Sequence, residues 1–387
     1  VDEEIRVFAG RFSASIGLVG IDFGSRAIKL LQVREHGRGL RVVGAGSVEV
    51  QAGPVDAAAL TDQLWGAFAS GGFSGRRCVV SLPRADVRVQ SVRLPRMPDE
   101  ELQQAAVWEA SQRFGFDRAA MEVDVIRTGA ELQGGENREE VLLIAAPHTA
   151  INARLEPLMA AGLRPVAIET HFTALARAFS RPSFSPSATQ EVRAVVDVGA
   201  SGSTVMILRG GQIAFCKPIA IGGKLFDEAV AEHLQMDVAS AQSLRAARVA
   251  AAFGEGDSVP VTDPSIERAE YDAVRPLLGS FAKEVMLCVR YYGVTFRGHP
   301  PQHLILTGGD GLEPRLAETL AEQCKIPVTF EHEGPGAAGL RDGIRDCLHR
   351  DPGPPACWAV AAGLSLRGLA PAKLRKARPG PARQEAA

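Results

Sequence analysis

One short pattern occurs twice in this chain, and the repetition constrains the fold more than any other feature. The first copy is Gly20-Ile21-Asp22-Phe23-Gly24-Ser25, followed by Ile28-Lys29-Leu30-Leu31-Gln32-Val33. The second is Ala194-Val195-Val196-Asp197-Val198-Gly199-Ala200-Ser201, followed by Thr204-Val205-Met206-Ile207-Leu208. Each spells a buried strand, a tight turn opened by Asp-x-Gly, and a returning strand. Glycine lets a backbone approach a ligand closely, and successive amide N–H groups in such a turn form an anion-binding nest. The aspartates, Asp22 and Asp197, offer carboxylates to Mg²⁺, an ion that keeps much of its water and binds through one or two carboxylates plus phosphates. Two such turns facing each other would clamp a polyphosphate between two halves of a molecule. A single Asp-x-Gly turn is common in hairpins; the pair carries the inference.

The bulk properties agree with a two-part globular protein. At 387 residues the chain has room for two or three domains or one bilobed molecule, and 46% hydrophobic residues supply large cores. A net charge of −2 argues against nucleic acid as the primary partner. The six cysteines (Cys78, Cys216, Cys288, Cys324, Cys347, Cys357) include no Cys-x-x-Cys pair and read as reduced thiols. The eight histidines lack ligand spacing, so no metal site built from protein groups alone is expected. Apolar runs such as Val141 to Pro147 and Ala356 to Leu366 are too short to cross a bilayer, which predicts a soluble chain that can sit on a membrane through a partner.

Along the chain, residues 1–15 read as a lead-in. Residues 16–83 hold a strand–turn–strand unit from Leu18 to Val33, a strand near Arg41 to Val50, a helix near Val55 to Ala69, and a strand from Cys78 to Pro83. Residues 84–165 read as an inserted α+β unit: the alternating strand Val87 to Val92, a helix opened by Pro98-Asp99-Glu100-Glu101, strands near Glu122 to Arg127 and Glu140 to Ala146, and a helix from Thr149 to Ala161. Residues 166–180 return to the first half, and 181–191 form a Pro/Ser-rich linker. The second half, 192–370, continues with Ile221-Gly222-Gly223, a helix near Phe226 to Leu234, and an amphipathic helix from about Pro276 to Tyr292. A strand Leu304-Ile305-Leu306, the turn Thr307-Gly308-Gly309-Asp310, a helix Glu313 to Gln323 and a last element Trp358 to Arg367 complete it. Residues 371–387 form a basic, solvated tail with Lys373, Arg375, Lys376, Arg378 and Arg383.

Several well-known patterns fail on inspection. Gly222-Gly223-Lys224 is followed by Leu225 and lacks the upstream glycine of a P-loop, where Pro218 stands. Gly44-x-Gly46 has Glu49 in place of the third glycine of a dinucleotide fingerprint. Taken alone, Thr307-Gly308-Gly309-Asp310 is equally a plain strand-to-helix turn or a place where a nucleoside lies flat against backbone near a helix start; Gly222-Gly223 has the same two readings. Lys29 is either a solvated strand lysine or a charge beside the phosphates. Trp108 reads as packing, and Asp99, Glu100 and Glu101 read as helix-start acids.

In this order the motifs resemble the type IV pilus assembly protein PilM family, within the FtsA-like part of the actin-like ATPase superfamily. The resemblance runs over roughly residues 17–370. It is carried by Gly20 to Leu31, by Leu94-Pro95-Arg96-Met97-Pro98-Asp99-Glu100-Glu101-Leu102 continuing to Trp108-Glu109-Ala110, and by Ala161 to Ile168. Ile219 to Gly223, Leu306 to Gly309 and Trp358 to Leu364 complete it. It implies an α/β, bilobed actin-like ATPase fold with the inserted subdomain in the first lobe, and ATP with Mg²⁺ between the lobes. It further implies a cytoplasmic place at the inner face of the inner membrane, where the N-terminal peptide of a PilN-like membrane protein is held in a groove beside the inserted subdomain. By the same analogy Asp22, Gly24, Ser25 and Lys29 face the phosphates from one lobe and Asp197, Gly199, Ser201 and Thr204 from the other. Gly222, Gly223, Gly308 and Gly309 border the nucleoside, and Asp22 and Asp197 stand nearest the metal.

The chain departs from the family in ways that weaken turnover more than binding. Arg26 and Ala27 replace small hydroxyl residues of the first turn, Glu169 and His171 stand where an acidic pair is expected, and Gly202 interrupts the hydroxyl run after Asp197. No catalytic residue is therefore assigned. The rival readings are an FtsA-like filament former, whose membrane-anchoring amphipathic helix the tail after Pro371 does not spell; a sugar kinase, for which no carboxylate base stands out; and a nucleotide-free relative from a type II secretion system.

Overall fold

The computed structural model describes residues 16–36, 39–50, 56–131, 138–181, 192–253, 263–296, 299–330, 335–350 and 352–369. The expected lead-in 1–15, the basic tail 371–387 and all but the first residue of the linker 181–191 lie outside the described residues.

The repeated motif becomes a repeated sheet. In the first lobe β1 (Val19–Phe23), β2 (Ala27–His36), β3 (Gly39–Glu49), β4 (Arg77–Leu82) and β8 (Arg164–Thr170) align in the order β3-β2-β1-β4-β8. In the second lobe β9 (Val192–Val198), β10 (Ser203–Arg209), β11 (Gln212–Ile219), β12 (His303–Thr307) and β13 (Val328–Phe330) align as β11-β10-β9-β12-β13. The pairing senses match as well. The motif strand runs antiparallel to its hairpin partner and parallel to the strand on its other side in both sheets.

Period-2 alternation assigns each strand face to a layer. Val19, Ile21, Phe23, Cys78 and Val80 pack with Leu64 of α1 (Ala57–Ser70) and Leu158 of α3 (His148–Ala160). The opposite face, including Leu31, Val33 and Val79, packs on α4 (His171–Phe179) and α10 (Ala359–Ser365). These two helices also meet Val195, Met206 and Ile305 of the second sheet, so one core joins the lobes. On the far face of that sheet Ala194, Val196 and Val198 pack with α5 (Gly223–Leu234), α7 (Pro264–Phe296) and α8 (Leu316–Cys324).

Between β4 and α3 the chain builds a third sheet, β5-β7-β6, from β5 (Arg88–Pro95), β6 (Met121–Glu131) and β7 (Arg138–Pro147). Its apolar face is covered by α2 (Asp99–Phe114), with three acids in the first turn and Gly115 closing the helix at φ 69°. Pro98 is the N-cap of this helix rather than a residue of its first turn. α3, the helix expected over 149–161, packs on α1 and β8 of the first lobe and also touches β7 of the third sheet.

Four helical segments differ from the sequence reading for identifiable reasons. The helix expected from Pro276 starts twelve residues earlier, at Pro264, and carries Pro276 inside it. Its buried face, Glu270, Val274, Leu278, Phe281, Val285, Cys288, Tyr292 and Phe296, keeps helical spacing across the proline, so packing overrides the lost hydrogen bond. The short α4 was not separable from its flanks because nearly every residue in it is buried. α6 (Val238–Phe253) and α9 (Pro335–Leu348) were not foreseen; Asp237 caps the former by accepting from the Ser240 N–H and hydroxyl.

Candidate functional site

The two Asp-x-Gly turns stand at corresponding places in the two sheets, and register explains their surroundings. Asp22 lies between Lys29 on β2 and Ser81 on β4, and Asp197 lies between Thr204 on β10 and Thr307 on β12. The Ser81 hydroxyl donates to Asp22 Oδ1 at 2.8 Å. Burial raises the Asp22 pKa above its ordinary value against the opposing pull of Lys29 and Ser81; the Asp197 charge raises it further and Arg84 lowers it. The Lys29 ammonium is thus a neighbour of the Asp22 carboxylate.

The second turn is locked from three sides. Gly199 N–H donates to the Gly202 carbonyl at 3.1 Å, and the Gly223 and Lys224 amides at the start of α5 donate to the Gly199 and Ala200 carbonyls at 3.0 and 2.9 Å. Gly222 is required by closeness: a Cβ there would lie 2.4 Å from the Gly202 nitrogen. Gly308 is required by conformation, with φ +92° and a hypothetical Cβ 2.4 Å from Asp197 Oδ1. The Asp310 N–H closes the loop onto the Val198 carbonyl at 2.9 Å. Gly222, Gly223 and Gly308 therefore bring two loops, the start of α5 and the turn after β12, onto the turn of Asp197 and Gly199. Ser201 and Gly309 are exposed, and Gly24 and Ser25 are half-buried on the first turn.

Two arginines cross between the lobes at this site. Arg26, on the first turn, donates through one nitrogen to both Asp310 oxygens at 2.9 and 2.8 Å and through the other to Asp227 Oδ2 at 2.6 Å. Burial opposes its charge, but Asp310 and Asp227 outweigh that effect and raise its pKa. The two acids are themselves buried and shared with Arg245, which also binds Glu313, while Arg248 links Glu313 to Glu270. Arg84, just after β4, forms an ion pair with Asp197 Oδ2 and donates to the Thr204 hydroxyl. Its Nη1 lies 2.9 Å from His171 Nε2, which is 2.8 Å from Thr204 Oγ1. Burial, reinforced by Arg84, holds the His171 pKa well below its ordinary value, so this imidazole is neutral at physiological pH. Glu169 is occupied by Arg177 and Arg367. The segment expected to carry an acidic pair thus holds a neutral histidine and an ion-paired glutamate.

Sequence reasoning missed Arg84, because a lone arginine after a Pro-terminated strand carries no motif. Arg26 was noticed only as a lost hydroxyl; its reach across the cleft depends on where Asp227 and Asp310 fold.

A second feature lies beside the inserted sheet. A groove of about 640 Å³ runs between β5, β11 and α7, lined by Val89, Ser91, Phe215, Leu287, Tyr291 and Val294 among others. On α7, Leu287, Tyr291 and Val294 are 40%, 45% and 76% exposed, an apolar stripe at helical spacing. β5 and β11 are edge strands of their sheets, each paired on one side among the described residues.

A family model for the type IV pilus assembly protein PilM matches residues 20–369. The chain belongs to the PilM family. It is similar to a solved PilM–PilN type IV pilus biogenesis complex, with 23% identity, a TM-score of 0.70, and coverage of 92% of this chain and 100% of that one. The ethanolamine utilization protein EutJ from Carboxydothermus hydrogenoformans is also similar, with 14% identity, a TM-score of 0.53, and coverage of 92% of this chain and 91% of that one. The two lobes are those of the actin-like ATPase fold, with the three-stranded sheet inserted in the first.

Proposed function

We propose that this PilM-family chain is an ATP-binding cytoplasmic adaptor of type IV pilus or related secretion assembly. It captures the N-terminal peptide of a PilN-like inner-membrane protein, and through that partner it sits at the inner face of the inner membrane. The observation that carries peptide capture is the groove beside the inserted sheet. It offers an apolar helix stripe for side chains and the free edges of β5 and β11 for an extended backbone. Main-chain bonds to a sheet edge give affinity, and pockets for alternate side chains give specificity. Such a stripe of exposed Leu287, Tyr291 and Val294 has no role in the cores of either lobe. Among the described residues no helix is long and apolar enough to cross a membrane.

The paired turns support the nucleotide part of the reading. In this reading Gly24, Ser25 and Lys29 contact the phosphates from the first lobe, Gly199, Ser201 and Thr204 contact them from the second, and Gly222, Gly223, Gly308 and Gly309 border the nucleoside. Closure of the lobes on nucleotide biases the groove toward its binding form by differential affinity for the two states. No residue is placed for hydrolysis. Fluorescence anisotropy of a labelled PilN-type N-terminal peptide, titrated with the protein, tests the reading. Saturable binding that shifts on adding ATP supports it, and an unchanged anisotropy with folded protein in either condition refutes it.

A further inference from the structure

In the nucleotide reading the glycine turns take phosphate, but the carboxylates do not suit a metal ion equally well. Among the described residues no three His, Cys, Asp or Glu side chains converge on a metal site. A divalent ion would have to be held through Asp22, Asp197 and the phosphates themselves. One of these two carboxylates is taken: Asp197 Oδ2 is ion-paired with Arg84, and Oδ1 packs against Gly308. The site balances its two acids, Asp22 and Asp197, with two cations of the first lobe, Lys29 and Arg84. The site gains no further positive charge from His171, which is buried and bonded to Thr204.

We propose that Arg84 is the built-in counter-cation for the nucleotide's phosphates, so that this chain takes a nucleoside di- or triphosphate without requiring a divalent metal. The position of Arg84 supports the assignment. Its Nε would lie 3.3 Å from a Cβ on Gly199, so the guanidinium covers the phosphate-facing turn of the second lobe while its backbone belongs to the first. A phosphate entering that turn meets the Nε side of a guanidinium whose Nη1 and Nη2 are held by Thr204, His171 and Asp197. Arg84 Nη2 stays on Asp197 while Nε, which lies over Gly199, turns to the phosphate, so one guanidinium serves both anions and keeps the lobes tied. The His171 and Thr204 contacts hold the guanidinium in the cleft.

The inference rests on the nucleotide-binding reading, and the experiment separates the two. Fluorescent N-methylanthraniloyl-ATP and -ADP are titrated into the full chain in EDTA and again in Mg²⁺, for wild type, Arg84→Gln and Arg84→Lys, each checked for folding by circular dichroism. Wild type binds with dissociation constants within about threefold in the two conditions. Arg84→Gln loses about tenfold in EDTA, the scale of a charge-assisted hydrogen-bond pair, and recovers in Mg²⁺; Arg84→Lys keeps part of the EDTA affinity. Wild-type binding that appears only with Mg²⁺, or an Arg84→Gln protein that binds like wild type in EDTA, overturns the role of Arg84 and leaves nucleotide binding standing. No binding by folded wild type in either condition overturns both.

Discussion

Arg26 is the point where the joining of the lobes is most open to measurement. Its side chain is 32% exposed, whereas its partners Asp227 and Asp310 are 2% and 6% exposed. Removing the guanidinium leaves two buried carboxylates that Arg245 must serve alone, through its bond to Asp227 and an approach of 3.5 Å to Asp310. Stripping one partner from a buried ion pair costs about 3–5 kcal/mol when nothing compensates. The help from Arg245 and the partial exposure of Arg26 lower the expected cost of Arg26→Ala to about 2 kcal/mol. Arg26→Lys recovers less than half, because one ammonium cannot bond both Asp310 oxygens and Asp227 together. Urea unfolding of Arg26→Ala, Asp310→Asn and the double variant gives the coupling, expected at about 1–2 kcal/mol. Because Arg26 ties one lobe to the other, the single variants should also broaden or split the transition as the lobes lose cooperativity. A loss below about 0.5 kcal/mol, or effects that add within about 0.3 kcal/mol, refutes an energetically significant latch.

Three further outcomes follow from particular side chains. Glu270 is wholly buried, its oxygens lack hydrogen bonds, and burial raises its pKa, with Glu313 adding to the rise and Arg248 opposing it. The folded state therefore holds this proton to higher pH than the unfolded state, and stability falls as pH rises from 4.5 through the raised value. Glu270→Gln should raise the melting temperature at pH 7.5 and leave it unchanged near pH 4; a drop at pH 7.5 contradicts the reasoning. Gly308→Ala forces a side chain into φ +92° and onto Asp197, and should cost at least about 2 kcal/mol in denaturant unfolding. A change below about 0.5 kcal/mol would show that the loop relaxes freely. Val294→Glu, at a site 76% exposed, should alter stability by no more than about 0.5 kcal/mol yet weaken a PilN-type peptide about tenfold in the anisotropy titration; unchanged affinity removes α7 from the groove.

How much of this was legible in the sequence depends on the range of the interaction. The motif strands were legible because Asp22 and Asp197 each follow a run of buried residues and precede a glycine, a signal contained within ten positions. The inserted sheet was legible from alternation, and its helix from Pro98 and the acids behind it. What failed was decided by distant packing. Pro276 looks like a start until the buried face of α7 is seen to run through it. α4 spans only nine residues and buries all but Thr173 and Arg177, both of which bind Glu169, because it lies between both sheets. β13 has three half-buried residues and exists by pairing with β12. The site divides the same way. The glycines announced themselves, but Arg84 meets Asp197 across 113 positions and Arg26 meets Asp310 across 284, and no local pattern encodes either pairing.

Peptide capture beside the inserted sheet is the central claim, and amide hydrogen exchange with and without a saturating PilN-type N-terminal peptide tests it most directly. Bound peptide should slow exchange at the free edges of β5 and β11 and along α7 from Leu287 to Val294, with little change elsewhere in the first lobe. A different cavity, of about 330 Å³, opens at the first turn among Phe23, Gly24, Ser25, Leu60 and Arg154. Protection confined to that cavity, with β5, β11 and α7 unchanged, would contradict the account.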